Sequence, residues 1–137
     1  MIAELRVIRD AVTAAGVPCW VGQVPDGTAM PYASLSAPGY GTPDDLNAAS
    51  DTEDVDTYVR LMVVDTNESN VLTRLERLHD ALAPRSLPVV LTMPGRAASL
   101  QWWRHEGAAV DRDVTLSGTN RHPAVGTDTY RLSSQPA

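Results

Sequence analysis

The sequence predicts an α+β fold, a mostly antiparallel sheet with two helices packed on one face. Two amphipathic helical stripes, one strongly alternating strand between them and several weaker strands after the second helix carry that prediction. No internal repeat and no dividing linker interrupts the 137 residues, so they are read as one domain, large enough to bury a single core.

Helix one is predicted over Ile2–Ala15. Ile2, Leu5, Ile8 and Val12 recur at helical spacing, with Glu4, Arg6, Arg9 and Asp10 largely on other faces. Gly16 and Pro18 then supply a stop. Two short β-type runs follow, Cys19–Val24 and Tyr32–Ser36, read as a hairpin-like pair. Pro25 and Pro31 cannot donate ladder hydrogen bonds, and Asp26-Gly27 is a turn dipeptide, so their connector is a loop or an edge. From about Pro38 to Val55 no regular structure is expected.

Thr57–Val64 is the strongest strand. Val59, Leu61 and Val63 share one face, while Tyr58, Arg60 and Met62 share the other. The apolar face should meet the helices, leaving Tyr58 and Arg60 toward solvent or a neighbouring subunit. Asp65-Thr66-Asn67-Glu68-Ser69 is rich in capping residues, and its acids complement a helix dipole. Helix two follows, with Val71, Leu72, Leu75, Leu78 and Leu82 on one stripe and Arg74, Glu76, Arg77 and Asp80 outside it; Pro84 ends it. Three weaker strands are expected at Pro88–Leu91, Ala98–His105 and Thr127–Leu132, with a further short one at Asp111–Leu116. The tail from Ser133 is expected to fray.

Composition narrows the function. All eleven basic residues are Arg, and the net charge is −6. Six acids, Asp44, Asp45, Asp51, Glu53, Asp54 and Asp56, crowd into one segment with no base among them; the rest of the chain is neutral. That segment is read as a solvated, flexible acidic loop, or as a charged feature presented to a partner or a pore. No basic footprint for tight, direct DNA binding is present. Cys19 is the one cysteine, so no intramolecular disulfide can form. Charged residues in the first ten positions and the lack of a long apolar run argue against a signal peptide or a membrane span. A soluble protein made in a cytoplasm is expected.

Catalytic constellations are sparse. Cys19 beside Trp20 has no base near it in the chain and reads as a buried structural thiol. His79 is expected to be partly exposed on helix two, and His105-Glu106 and His122 lack metal-ligand spacing. Asp111-x-Asp113 would place two carboxylates on one strand face, where they could hold a divalent ion, but no third ligand accompanies them. Gly39-Tyr40-Gly41 lacks the third glycine of a dinucleotide loop, and there is no nucleophile elbow or phosphate-loop lysine. No cofactor, no catalytic residue and no metal ligand is assigned. Adjacent Trp102 and Trp103 should face opposite sides of a strand, one toward the core and one outward, where it could anchor an interface or lie flat on its own sheet.

Taken together, the leading helix Ile2–Ala15, the run Val17-Pro18-Cys19-Trp20-Val21-Gly22-Gln23-Val24-Pro25 and the start Pro31-Tyr32-Ala33-Ser34-Leu35-Ser36 resemble the tail terminator (tail completion) proteins of long-tailed bacteriophages and prophages. The strand Asp56–Asp65, the helix Ser69–Leu82, Asp111-x-Asp113 and Thr129-Tyr130-Arg131-Leu132 extend the resemblance over most of the chain. The acidic loop and the Trp102-Trp103 pair depart from it. The resemblance implies a minor tail protein that closes into a ring, commonly a homo-hexamer, at the head-proximal end of the tail tube. Such a ring stops tube polymerisation and joins the tail to the head connector. Its partners would be its own copies, the tail-tube protein and the connector protein. DNA would pass through without being specifically bound, and no membrane is involved. On this reading Tyr58, Arg60, Met62, Trp102 and Trp103 are candidates for a subunit or partner interface. The six acids would face the lumen or a partner. A head–tail connector adaptor and a small metal-dependent hydrolase using Asp111 and Asp113 are the alternatives.

Overall fold

The computed structural model describes residues 1–38, 54–84, 87–116 and 121–137. Among them are two helices, α1 (Ile2–Ala14) and α2 (Glu68–Leu82), and six strands: β1 (Cys19–Val21), β2 (Tyr32–Ser36), β3 (Val55–Asp65), β4 (Val89–Leu91), β5 (Arg96–Val110) and β6 (Ala124–Pro136). The strands form one sheet in the order β1-β2-β3-β6-β5-β4. β1 and β2 run parallel, and every other neighbouring pair is antiparallel. The fold is α+β, with both helices on one face of a mostly antiparallel sheet.

Each helix forms where the apolar spacing requires it. α1 buries Leu5, Ile8 and Val12, and the chain leaves it through Gly16 at φ 104°, a left-handed conformation open to glycine. α2 starts at Asn67, whose Oδ1 accepts the Asn70 backbone N–H at 2.8 Å. It buries Val71, Leu75, Leu78 and Leu82, each worth about 1.5–3 kcal/mol of transfer free energy. Leu72, expected on that stripe, is 46% exposed instead. One core unites these side chains with Val59, Leu61 and Val63 of β3, Leu100 of β5, and Tyr130 and Leu132 of β6.

Helix and sheet approach closely at Gly126. A Cβ there would lie 2.5 Å from Val71 Cγ1 and 2.9 Å from Leu75 Cδ1, so α2 rests directly on the β6 backbone. A buried polar knot ties α1 to the far end of the sheet. Glu4 Oε1 lies 2.9 Å from Arg96 Nε and accepts a hydrogen bond from Ser134 Oγ at 2.9 Å, while Oε2 lies 3.1 Å from the Met1 amine. Burial alone would raise the Glu4 carboxyl. The hydrogen bond from its own backbone N–H, the amine and Ser134 outweigh it and hold the group below its ordinary value.

Four expectations are corrected. β1 and β2 are not a hairpin but a parallel pair, Cys19 opposite Ala33 and Val21 opposite Leu35; the turn residues belong to a connector that carries the chain back before β2 starts. The tail from Ser133 is not frayed: β6 runs on, pairing Ser134 with Ala98 and Pro136 with Arg96, because Ser134 is held by the Glu4–Arg96 pair. Asp111–Leu116 is a turn rather than a strand, closed by the Val114 N–H donating to Asp111 O and the Asp111 N–H donating to Pro123 O. Asp56, expected in the acidic loop, is instead on β3, which begins at Val55, while Asp54 precedes the strand outside any regular element.

Candidate functional site

The alternation of β3 turns Tyr58, Arg60 and Met62 away from the helices. Register extends that outer face across the sheet. Tyr58 stands opposite Arg131, Arg60 opposite Thr129, and Met62 opposite Thr127, while Arg104 faces Thr129 from the other side. Two irregularities in β5 enrich this face. Trp102 pairs with Tyr130, Arg104 with Thr129, His105 with Asp128 and Gly107 with Thr127, so Trp103 and Glu106 are each an extra residue bulged onto the outer side.

Trp103 and Tyr58 meet there with ring centroids 5.5 Å apart, tilted by 56°. They are 44% and 45% exposed, a pair of large apolar rings with no helix above them. Arg131 Cζ sits 6.0 Å from the Trp103 ring centroid, and the same guanidinium donates to Asp56 Oδ1 at 3.2 Å and Oδ2 at 3.1 Å. That fork holds the Asp56 carboxyl below its ordinary value. Nearby, Arg60 Nε lies 3.3 Å from Glu106 Oε2, and Arg104 donates to Glu106 Oε1 at 3.3 Å. The Thr129 hydroxyl, Arg60 and Arg104 together hold Glu106 ionised below the usual carboxylate range. The Arg60–Glu106 pair forms a ridge between two hollows. One, of about 350 Å³, is lined by Tyr58, Trp103 and Pro38; the other, of about 390 Å³, by Ser34, Ser36 and Met62. Rings, forked guanidinium groups and satisfied carboxylates make a surface suited to recognition.

The remaining candidate residues fall elsewhere. Trp102 is on the helix side, packed against the core, and its Nε1–H donates to Asp128 Oδ2 at 3.2 Å. It is therefore separated by the sheet from Tyr58, Arg60, Met62 and Trp103. His105 Nδ1 lies 2.7 Å from the other Asp128 oxygen, and His79 meets the Trp102 ring edge-on at 4.9 Å. Cys19 is buried, its thiol pushed up to about 12 by burial, and no base adjoins it. Asp111 Oδ1 accepts the Asp113 backbone N–H at 3.1 Å, so that pair of acids closes a turn and does not share a strand face. Among the described residues no three His, Cys, Asp or Glu side chains gather as a metal-binding group. Of the six clustered acids, Asp44, Asp45, Asp51 and Glu53 lie outside the described residues. Asp54 is exposed just before β3, and Asp56 is the fork partner of Arg131.

Asp56, Glu106 and Arg131 were missed as members of the outer face. For Asp56 a signal existed, since it continues the Tyr58 and Arg60 alternation. For Glu106 none did, because the two bulges shift the parity of β5. No helix among the described residues is long and apolar enough to cross a membrane. Compared with known proteins, the chain matches no family model and no curated protein sequence.

Proposed function

We propose that this protein is a structural subunit of a phage tail, capping the head-proximal end of the tail tube, stopping its polymerisation and joining it to the head connector. The observation that carries the reading is the division of the sheet into two faces. One is sealed by both helices; the other presents the exposed Tyr58–Trp103 pair inside an ordered lattice of Arg60, Arg104, Arg131, Asp56 and Glu106. Aromatic rings flanked by arginine are the residue types that anchor protein interfaces. The resemblance to tail terminators supplies the setting: a ring of copies, commonly six, in the virion, assembled in the host cytoplasm, through which DNA passes without specific contacts. Acids of the 44–54 segment facing the lumen would repel DNA phosphates during passage.

Electron microscopy of particles lacking the protein tests this. Overlong or unsealed tails are expected, and normal free tails would overturn it. Affinity capture from infected cells should retain the tail-tube protein; retention of a portal-side protein alone would make the chain a connector adaptor.

A further inference from the structure

We propose that the helix-covered face of the sheet holds a small-molecule site: the hollow between α2 and β5 takes a flat, uncharged aromatic molecule that donates one hydroxyl or amine hydrogen to His105. The site lies across the sheet from Tyr58 and Trp103 and is independent of the tail reading.

The irregular course of β5 assembles its polar groups. In a regular strand Trp102 and His105 would face opposite sides. The extra residue at Trp103 resets the parity, so Trp102 stands opposite Tyr130 and His105 opposite Asp128, both on the helix side. The Asp128 side chain is only 5% exposed, and each of its oxygens holds one of the two rings. Trp102 Nε1–H donates to Oδ2 at 3.2 Å, and His105 Nδ1 lies 2.7 Å from Oδ1. A carboxylate only accepts, so the proton of the second contact sits on Nδ1, and a neutral His105 ring is left with Nε2 as an acceptor. That ring is 37% exposed, within reach of a solute. Burying a carboxylate is costly where apolar side chains would serve. Here it fixes an indole and an imidazole of one tautomer side by side.

Beside these rings the core is not sealed. Leu72, Leu75 and Trp102, with His105, Asp128 and Glu76, line a mainly apolar hollow of about 370 Å³. Small-molecule sites span about 300–1,000 Å³ and combine apolar walls with a few fixed polar groups. Leu72 belongs to the apolar stripe of α2, yet it is 46% exposed because no part of the described chain covers it. His79 lines the same hollow, and its Nδ1 is buried without a hydrogen-bond partner among the described residues. The lining sets the chemistry of the ligand. Leucine walls and an indole suit a flat aromatic ring. His105 Nε2 requires a donated hydrogen, and the exposed Glu76 carboxylate disfavours an anion.

NMR titration of the full chain at about pH 8, above the ordinary histidine range, tests the site with phenol, anisole and benzoate. Phenol is expected to shift the Trp102 indole N–H and the His105 ring resonances saturably. Anisole, the same ring without the hydroxyl hydrogen, should bind more weakly by about threefold to tenfold. Benzoate should also bind more weakly than phenol. His105→Ala should erase the difference between phenol and anisole, and Leu72→Arg, at an exposed position, should abolish binding of both. Arg60→Ala, on the opposite face, should change neither. Should His105→Ala fail to fold, the three probes on the natural chain and Leu72→Arg still decide. No saturable shift, shifts at Trp103 in place of Trp102, anisole or benzoate binding as tightly as phenol, or binding that survives Leu72→Arg overturns the site. So does a preference for phenol that persists in a folded His105→Ala chain.

Discussion

The carboxylate of Glu4, on the first helix, and the guanidinium of Arg96, at the start of β5, form an ion pair with both side chains almost wholly buried. The pair is satisfied from a third direction by Ser134, near the far end of β6. It thereby ties α1 to β5 and β6 through one buried polar cluster.

Removing one member leaves the other charged and buried, the costly case for such pairs. Glu4→Leu is expected to lower unfolding free energy by about 3 kcal/mol or more. Urea denaturation of the variant and the natural chain checks it; a change within experimental scatter would mean the pair is dispensable.

Acid should act through the same residue. Because the folded-state Glu4 carboxyl titrates below its ordinary value of 4.5, its contribution is complete above that pH and disappears as pH falls through the lower folded value. Unfolding free energy should therefore decline below pH 4.5. Glu4→Gln should make that decline shallower in matched denaturation curves.

Gly126 lets α2 rest on β6. Gly126→Ala forces a methyl group into Val71 and Leu75, and is expected to cost about 1–3 kcal/mol. Thermal unfolding reads the loss, and Gly126→Ala combined with Val71→Ala should recover part of it.

Cys19 should behave as a structural thiol. With burial raising it to about 12, Ellman's reagent is expected to react slowly with the native chain and fully once denaturant is added. Rapid native reaction would indicate an accessible, activated sulfur.

The outer face separates function from stability. Trp103→Ala and Arg60→Ala remove exposed groups, and each should change unfolding free energy by no more than about 1 kcal/mol. Under the proposed function, the Trp103 variant should nonetheless fail to restore normal tails to particles lacking the protein. Full complementation would remove Trp103 from the interface.

Much of this architecture could be read from residue spacing. The stripes of α1 and α2 and the two faces of β3 follow from repeating apolar positions, and each was assigned its correct partner layer. What escaped were features made by distant pairs. Ser133-Ser134-Gln135-Pro136 looks like a loose polar end, yet Ser134 is fixed by residues on α1 and β5. β5 conceals its length because bulges at Trp103 and Glu106 break strict alternation. The parallel sense of β1 was hidden by turn residues equally suited to a hairpin. On the candidate surface, Tyr58, Arg60, Met62 and the opposite facing of Trp102 and Trp103 were legible, but which indole turns outward was not, and the partners Glu106 and Arg131 depend on register between strands far apart in the chain.

β6 lies at the middle of the sheet, between β3 and β5, yet it is the last of these elements along the chain. During synthesis the sheet therefore stays in two halves, β1-β2-β3 on one side and β4-β5 on the other, until the final strand emerges to bridge them. A ribosome-bound chain short of β6 would have no complete core for either helix to cover. Insertion of β6 is thus the step that welds two separate strand groups into one sheet and completes the core under both helices.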